Sequence, residues 1–86
     1  MVKPLEYAVK EFPRAIVRKS AADNVIKGAD LMAPGLEKIE GTFGKKDMIV
    51  IFESGRAIAI GKALFDSKAI INQEKGPVVR LEKVLV

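Results

Sequence analysis

The residues best suited to chemistry in this sequence are basic side chains that lie close together near the amino terminus. Between positions 14 and 27 the chain carries four cations, Arg14, Arg18, Lys19 and Lys27, against a single acid, Asp23. Lysine and arginine bind phosphate oxygens, lysine as a point charge and arginine through a planar fork of donors. The whole chain is also basic, with a formal net charge of +4 over 86 residues. A polyanionic partner is therefore allowed, although many ordinary small domains are equally basic.

The sequence lacks the residues that most catalytic and metal sites need. It contains no cysteine and no histidine, which removes disulfides, thiolate nucleophiles, imidazole bases and the commonest zinc ligands. Its aspartates are candidate carboxylates, but no nucleophile or base accompanies them, and no phosphate-cradling glycine motif is present. These aspartates are Asp23, Asp30, Asp47 and Asp66. We therefore expect no catalytic residue, no metal and no cofactor, and the chain is not expected to be an enzyme by itself.

Length and composition limit the architecture to one domain. A chain of 86 residues with 49% hydrophobic composition can build one core and is too short for two. No apolar run approaches the roughly 20 residues of a membrane-spanning helix, and no signal-peptide pattern is present. Together with the absence of cysteine, these features predict a soluble, cytoplasmic protein.

Two short helices flank a first strand in the amino-terminal part of the chain. The segment from Pro4 to Phe12 carries an apolar stripe and stops before Pro13, which indicates a short amphipathic helix. Residues 14–18 have β-branched residues at their centre and predict a strand. We expect residues 1–13 to form a helical segment of their own and residues 14–86 to form the domain proper.

The second helix has predicted start and stop signals. Ser20 is expected to be its N-cap, with Asp23 completing an imperfect capping box. Gly28 is expected to end the helix in a left-handed conformation. The residues expected on its buried face are Ala22, Val25 and Ile26.

Beyond Gly28 the pattern becomes that of short strands separated by turn residues. Met48 to Phe52 is apolar at every position, so it is predicted to be a strand covered on both faces. The sequence Glu53-Ser54-Gly55-Arg56 is a tight-turn signal leading into the next strand. That strand, over residues 57–64, has large residues on one face and small residues on the other, which favours a closed barrel over a flat sheet. A last strand is predicted over residues 78–86.

The run from Lys27 to Gly35, with the sequence KGADLMAPG, resembles the signature of PUA domains, in which a helix ends in Gly-Ala-Asp and a Pro-Gly turn follows. The resemblance continues through Lys46-Asp47, residues 59–61 and Lys75-Gly76, and it covers residues 14–86. Residues 12–21 look most like the PUA domain at the carboxyl end of archaeal and eukaryotic guide-RNA-dependent pseudouridine synthases. One departure is Lys46, because the family usually has a glycine directly before the aspartate.

This resemblance implies a mixed α/β, mainly β fold, a PUA-like pseudo-barrel of five to six short strands with one or two short helices. It also implies that structured RNA (tRNA, rRNA or guide RNA) binds in a groove between the first barrel helix, the glycine turn and the last strand. The implied RNA contacts are the helix residues Lys19, Asn24 and Lys27, the turn and strand residues Gly28, Ala29, Asp30, Leu31 and Met32, and the last-strand residues Arg80 and Lys83. The domain would assist RNA modification, ribosome biogenesis or translation, with catalysis supplied by another domain or subunit.

Plainer interpretations remain open for these residues. Gly28 also fits an ordinary helix C-cap, and Asp30 fits a residue that fixes the turn through backbone hydrogen bonds. The lysines and Arg80 fit solvated surface charge, while Phe43, Phe52 and Phe65 are expected in the core rather than as base-stacking platforms. An alternative function is a protein-interaction or docking module within an RNA-processing complex, through the small-residue face or the apolar stripe of residues 4–12.

Overall fold

The computed structural model describes residues 12–86, so the predicted amphipathic helix lies, except for its last residue, outside the described part of the chain. The described part contains one α-helix, six strands and two short 3-10 turns. The helix α1 is Lys19–Ile26, and the strands are β1 (Arg14–Val17), β2 (Leu31–Met32), β3 (Leu36–Glu40), β4 (Met48–Glu53), β5 (Arg56–Ala63) and β6 (Pro77–Val84). The 3-10 turns span Ala33–Gly35 and Ile70–Asn72. No helix within residues 12–86 is both long enough and apolar enough to cross a membrane.

The six strands form one sheet that curls into a pseudo-barrel. They pair in the order β2-β6-β5-β4-β1-β3, which places β2 and β3 at the two ends. Only the 3-10 turn Ala33–Gly35 separates these two strands in the chain. In a flat sheet the outer strands would lie about 24 Å apart, whereas four extended Cα steps span only about 14 Å. The sheet must therefore curl until its ends approach each other, and the predicted mainly β pseudo-barrel is confirmed.

The core lies inside the curled sheet and is closed by α1. In β4, Ile49 and Ile51 belong to this core, while Val50 and Phe52 are buried on the other face of the strand, so β4 is covered on both faces as the uniformly apolar sequence predicts. The small face of β5 is buried as well, with Ala59 and Ala63 at 0% exposure. From α1, Ala22 and Val25 pack into the same cluster of buried residues. The helix is thereby fixed against the barrel by two side chains of its inner face.

The start of α1 differs from the prediction. Arg18, not Ser20, is the N-cap residue, and no side chain caps the first turn. Ser20 and Asp23 lie inside the helix, so the predicted capping box is absent. The backbone of Arg18 explains the shift, because its N–H donates to the carbonyl of Gly35 at 2.9 Å and its carbonyl accepts the N–H of Ala22 at 2.9 Å. The helix therefore begins where β1 is tied to the 3-10 turn. Ile26, predicted to be buried, is 38% exposed at the last position of the helix.

The turn before β4 explains the departure at Lys46. Lys46 has a φ of 76°, a left-handed conformation that glycine adopts without steric cost. The backbone N–H of Lys46 donates to the carbonyl of Ala63 at 2.7 Å. The carboxylate of Asp47 accepts the N–H of Gly44 at 2.8 Å. The turn thus keeps a glycine-like geometry with a lysine in it, held by hydrogen bonds on both sides.

Candidate nucleic-acid interface

The helix α1 ends in a Schellman motif that leaves its turn open to solvent. Gly28, with a φ of 105°, donates its N–H to the carbonyl of Val25 at 2.9 Å. The N–H of Ala29 donates to the carbonyl of Asn24 at 3.0 Å, which completes the motif. The helix therefore ends at the left-handed Gly28, as the sequence predicts, one residue after the C-cap Lys27. Gly28 and Ala29 are both exposed, and a Cβ at position 28 would meet no atom within 4 Å.

The aspartate of the signature joins this turn to the last strand. The carboxylate Oδ1 of Asp30 accepts a hydrogen bond from the backbone N–H of Leu81 at 2.9 Å. The interpretation of Asp30 as a residue that fixes the turn is thus supported, but the partner lies on β6 and not within the turn itself. One anionic side chain therefore holds two of the three elements that the resemblance assigns to the RNA groove.

A groove of about 230 Å³ runs between α1 and β2. Three of the predicted contact residues line it, namely Asn24, Asp30 and Met32. The remaining lining residues, which the sequence did not indicate as contacts, are Ser20, Ala21, Pro34 and Gly35. Met32 is 47% exposed, so an apolar side chain and a side-chain amide face the same space. The groove therefore offers both van der Waals and hydrogen-bonding contacts.

The 3-10 turn forms one wall of this groove because it approaches α1 closely. A Cβ at Gly35 would overlap with the Cβ of Ala21, so only glycine allows the two backbones to come together here. The side chain of Arg18 donates from Nε to the carbonyl of Pro34 at 3.2 Å, which holds the turn in place. This close contact between sequence-distant segments is why Pro34 and Gly35 reach the groove.

Two of the four clustered cations are engaged within the protein. The guanidinium of Arg14 stacks over the ring of Phe52 at 4.6 Å, and Arg18 bonds to Pro34 as described. Lys19 and Lys27, at the two ends of α1, are exposed. Neither lysine lines the groove, but Lys27 lies three residues after Asn24 and thus on the same side of the helix. The cluster therefore reduces to two exposed lysines, of which Lys27 lies on the groove side of α1.

Leu31, a predicted RNA contact, is buried, and the aromatic side chains that were expected not to contact RNA are buried or packed against the core. Leu31 is 1% exposed, so at most its backbone could meet an RNA. Phe43 and Phe52 are 6% and 8% exposed, and Phe65 packs against the core cluster, as expected for residues that do not stack on bases. Within residues 12–86, no aromatic side chain lines the groove.

A β-bulge brings Arg80 and Lys83 to the same face of β6. Residues three apart in a regular strand point to opposite faces. Here Gly61 pairs with Leu81 while the adjacent Ile60 pairs with Lys83, so Glu82 is an extra residue in β6. The bulge restores Arg80 and Lys83 to one face, which is the outer face because Val79 is fully buried on the other. Arg80 directly precedes Leu81, whose N–H is bonded to Asp30, so this outer face adjoins the turn.

The described helix, turn, groove and last strand all lie within the segment of the chain that matches a known protein family. Residues 13–85 match the family described as PUA domain. The chain belongs to the PUA domain family. Its fold is a non-catalytic, RNA-binding one, in agreement with the expectation that the chain by itself is not an enzyme.

Known relatives of this PUA domain include pseudouridine synthases. It is 40% identical over 84 residues, 96% of its length, to a probable tRNA pseudouridine synthase B of Pyrobaculum arsenaticum, and it covers 25% of that protein. It superposes with a TM-score of 0.88 and 33% identity on the archaeal box H/ACA small ribonucleoprotein Nop10–Cbf5 complex, covering 98% of this chain and 28% of the matched one. A PUA domain from Aeropyrum pernix K1 superposes with a TM-score of 0.77 and 29% identity, over 84% of this chain and 42% of that one. The chain spans about a quarter of the first two proteins.

Proposed function

We propose that this PUA domain, over residues 14–86, binds structured RNA and positions it for an RNA-modifying activity supplied elsewhere. The observation that carries the proposal is the hydrogen bond from Leu81 N–H to the carboxylate of Asp30. It fixes the exposed glycine turn against β6 and beside the groove that Asn24 and Met32 line. A rigid arrangement of helix, turn and strand suits a module whose work is positioning.

The groove and the surrounding cations have separate tasks in this proposal. Specific RNA recognition targets unstacked bases, whose edges accept and donate hydrogen bonds and whose faces pack on side chains. The amide of Asn24 can hydrogen-bond to a base edge, and the exposed side chain of Met32 can pack against a base face. Phosphate contacts fix register without reading sequence. We assign them to Lys19 and Lys27 on α1 and to Arg80 and Lys83 on the outer face of β6.

The class of RNA is proposed from the names of the relatives. The matched pseudouridine synthases are described as acting on tRNA, and the matched ribonucleoprotein contains Cbf5 and Nop10. We propose a tRNA, a ribosomal RNA or a guide RNA as ligand, in the cytoplasm. The partners would be a catalytic domain or subunit and other proteins of an RNA-processing complex. A docking role within such a complex is compatible with RNA binding, since the groove occupies only one side of the barrel.

The test is to remove the two groove contacts and measure RNA affinity. We expect Asn24→Ala and Met32→Ala each to weaken binding of a hairpin with a single-stranded 3′ tail by about tenfold, the equivalent of roughly 1.4 kcal/mol. Ile71→Ala is the matched control, because Ile71 is 61% exposed and does not line this groove. Equal affinity of the groove variants and the control would overturn the assignment of the groove to RNA.

A further inference from the structure

The outer face of β5 and β6 carries three cations that the barrel brings together from distant parts of the sequence. Lys62 on β5 pairs directly with Arg80 on β6, and both side chains are exposed. Residues directly opposite each other on antiparallel strands share a face, with Cβ atoms about 4.5–5.5 Å apart. Lys83 pairs with Ile60, two residues before Lys62, and so lies diagonally across on the same face. We call Lys62, Arg80 and Lys83 the outer basic patch.

The arrangement of the outer basic patch is unfavourable for the folded barrel alone. Like charges directly opposite on paired strands destabilise a sheet. Among residues 12–86, the ion pair that forms joins Lys38 to Glu40. No carboxylate of this part of the chain therefore lies within ion-pair distance of Lys62 or Arg80. Glu82, the nearest acid along β6, is the extra residue of the bulge. The bulge thus keeps a third cation, Lys83, on the face where two already oppose each other.

The patch is continuous with the groove assigned above to RNA. Asp30, which lines the groove, is bonded to the backbone of Leu81, the residue after Arg80. From the groove, the surface therefore passes over β6 to Lys62 on β5 without crossing another element, because β6 lies between β2 and β5 in the sheet.

We propose that the outer basic patch is a second contact surface for the RNA, which binds the phosphate backbone on the far side of the groove and makes Lys62 an RNA-binding residue. The inference rests on the proposed function, because it extends the path of the same ligand. Phosphates neutralise closely spaced cations and each neutralised phosphate releases counterions. The patch therefore adds affinity and orientation, while base recognition stays in the groove. The RNA backbone runs across β6 and β5 rather than along α1 alone.

The experiment compares charge-neutralising variants over a salt series, with a tRNA as the probe. The plot of log affinity against log salt has a negative slope. Lys62→Gln and Arg80→Gln should each reduce the magnitude of this slope by about one, and the double variant should reduce it by about two. Two matched controls carry the same charge change elsewhere. They are Lys38→Gln on β3 and Arg56→Gln at the opposite end of β5, and their slopes should equal that of the wild type.

The possible outcomes separate the two proposals. If wild-type protein binds the tRNA but the Lys62 and Arg80 variants have the slope of their controls, this inference is overturned and the groove assignment stands. An acidic protein surface would then be the better occupant of the patch. If wild-type protein binds no RNA at all, the proposed function fails and the inference fails with it. Protection of Lys62 from acetylation by bound tRNA, with Lys38 unprotected, is a second expected result that needs no variant, and equal labelling of both would contradict the proposal.

Discussion

The carboxylate of Asp30 and the backbone N–H of Leu81 are joined by a hydrogen bond of 2.9 Å although the residues are 51 positions apart. This bond connects the turn after α1 with the last strand. It also places the groove lined by Asn24 and Met32 next to the outer face that carries Arg80. The acidic side chain of Asp30 thus lies next to basic residues, where it stabilises the fold by binding the backbone of β6.

Removal of the Asp30 carboxylate should weaken both folding and RNA binding. Asp30→Ala loses the hydrogen bond and is expected to lower the free energy of unfolding by about 1 kcal/mol, measured by urea titration. Asp30→Asn keeps an oxygen that can accept the Leu81 N–H, so it should lose less than half as much. An Asp30→Ala variant with wild-type stability and wild-type RNA affinity would show that the bond does not hold the turn.

The close approach of the 3-10 turn to α1 predicts a strong effect at Gly35. Gly35→Ala should destabilise the domain by about 1–3 kcal/mol, because the new Cβ would overlap with the side chain of Ala21. Gly44→Ala is the control, since a Cβ there would meet its nearest atom, the Asp47 carboxylate, at an ordinary 3.6 Å. Thermal unfolding of both variants provides the measurement. If the two variants have the same midpoint, the wall of the groove is less rigid than the geometry requires.

The left-handed conformation of Lys46 predicts a stabilising substitution. Lys46→Gly removes a steric cost of about 1–2 kcal/mol from the folded state. It also gives the unfolded chain more conformational entropy, which destabilises the folded state by about 0.4–1 kcal/mol. We expect a net gain of up to about 1.6 kcal/mol in the free energy of unfolding. Lys45→Gly, at the neighbouring position without a positive φ, should instead destabilise by about 0.4–1 kcal/mol. A loss of stability in both variants would contradict the strained geometry at Lys46.

The sequence predicts those parts of this fold that local rules control. Uniform apolarity identified β4 as a doubly covered strand, and Gly55 in its turn marked the hairpin, where Ser54 and Gly55 both have positive φ. Gly28 correctly marked the end of α1.

The features that the sequence did not reveal depend on partners far away in the chain. The start of α1 is set by a bond from Arg18 to Gly35, and the role of Asp30 is set by Leu81. The bulge at Glu82 has no local signal, although it decides that Arg80 and Lys83 share a face. Lys62 could not be recognised as a neighbour of Arg80 before the strand register was known. Much of the candidate interface therefore follows from sheet pairing and not from the signature motif.

Charge reversal at the two ends of α1 should reduce RNA binding without unfolding the domain. In Lys19→Glu/Lys27→Glu, the helix dipole favours the new acid at the first position and disfavours the one at the C-cap, so stability should change by less than about 1 kcal/mol. The affinity should fall for every RNA tested. The negative slope of log affinity against log salt should decrease in magnitude by roughly 1–2. The double variant Lys38→Glu/Lys68→Glu carries the same charge change outside the interface. Equal binding by the two double variants would exclude α1 from the RNA-binding surface.

RNA recognition by this domain is tested most directly by fluorescence anisotropy of the purified wild-type chain with three probes over a salt series. The probes are a tRNA, an RNA hairpin with a single-stranded 3′ tail and a duplex DNA of matched length. We expect tighter binding to the two RNAs than to the DNA at every salt concentration, because the groove and turn recognise RNA features beyond phosphate charge. Equal, weak and equally salt-dependent binding to all three probes would contradict this expectation, and would leave only a nonspecific basic surface.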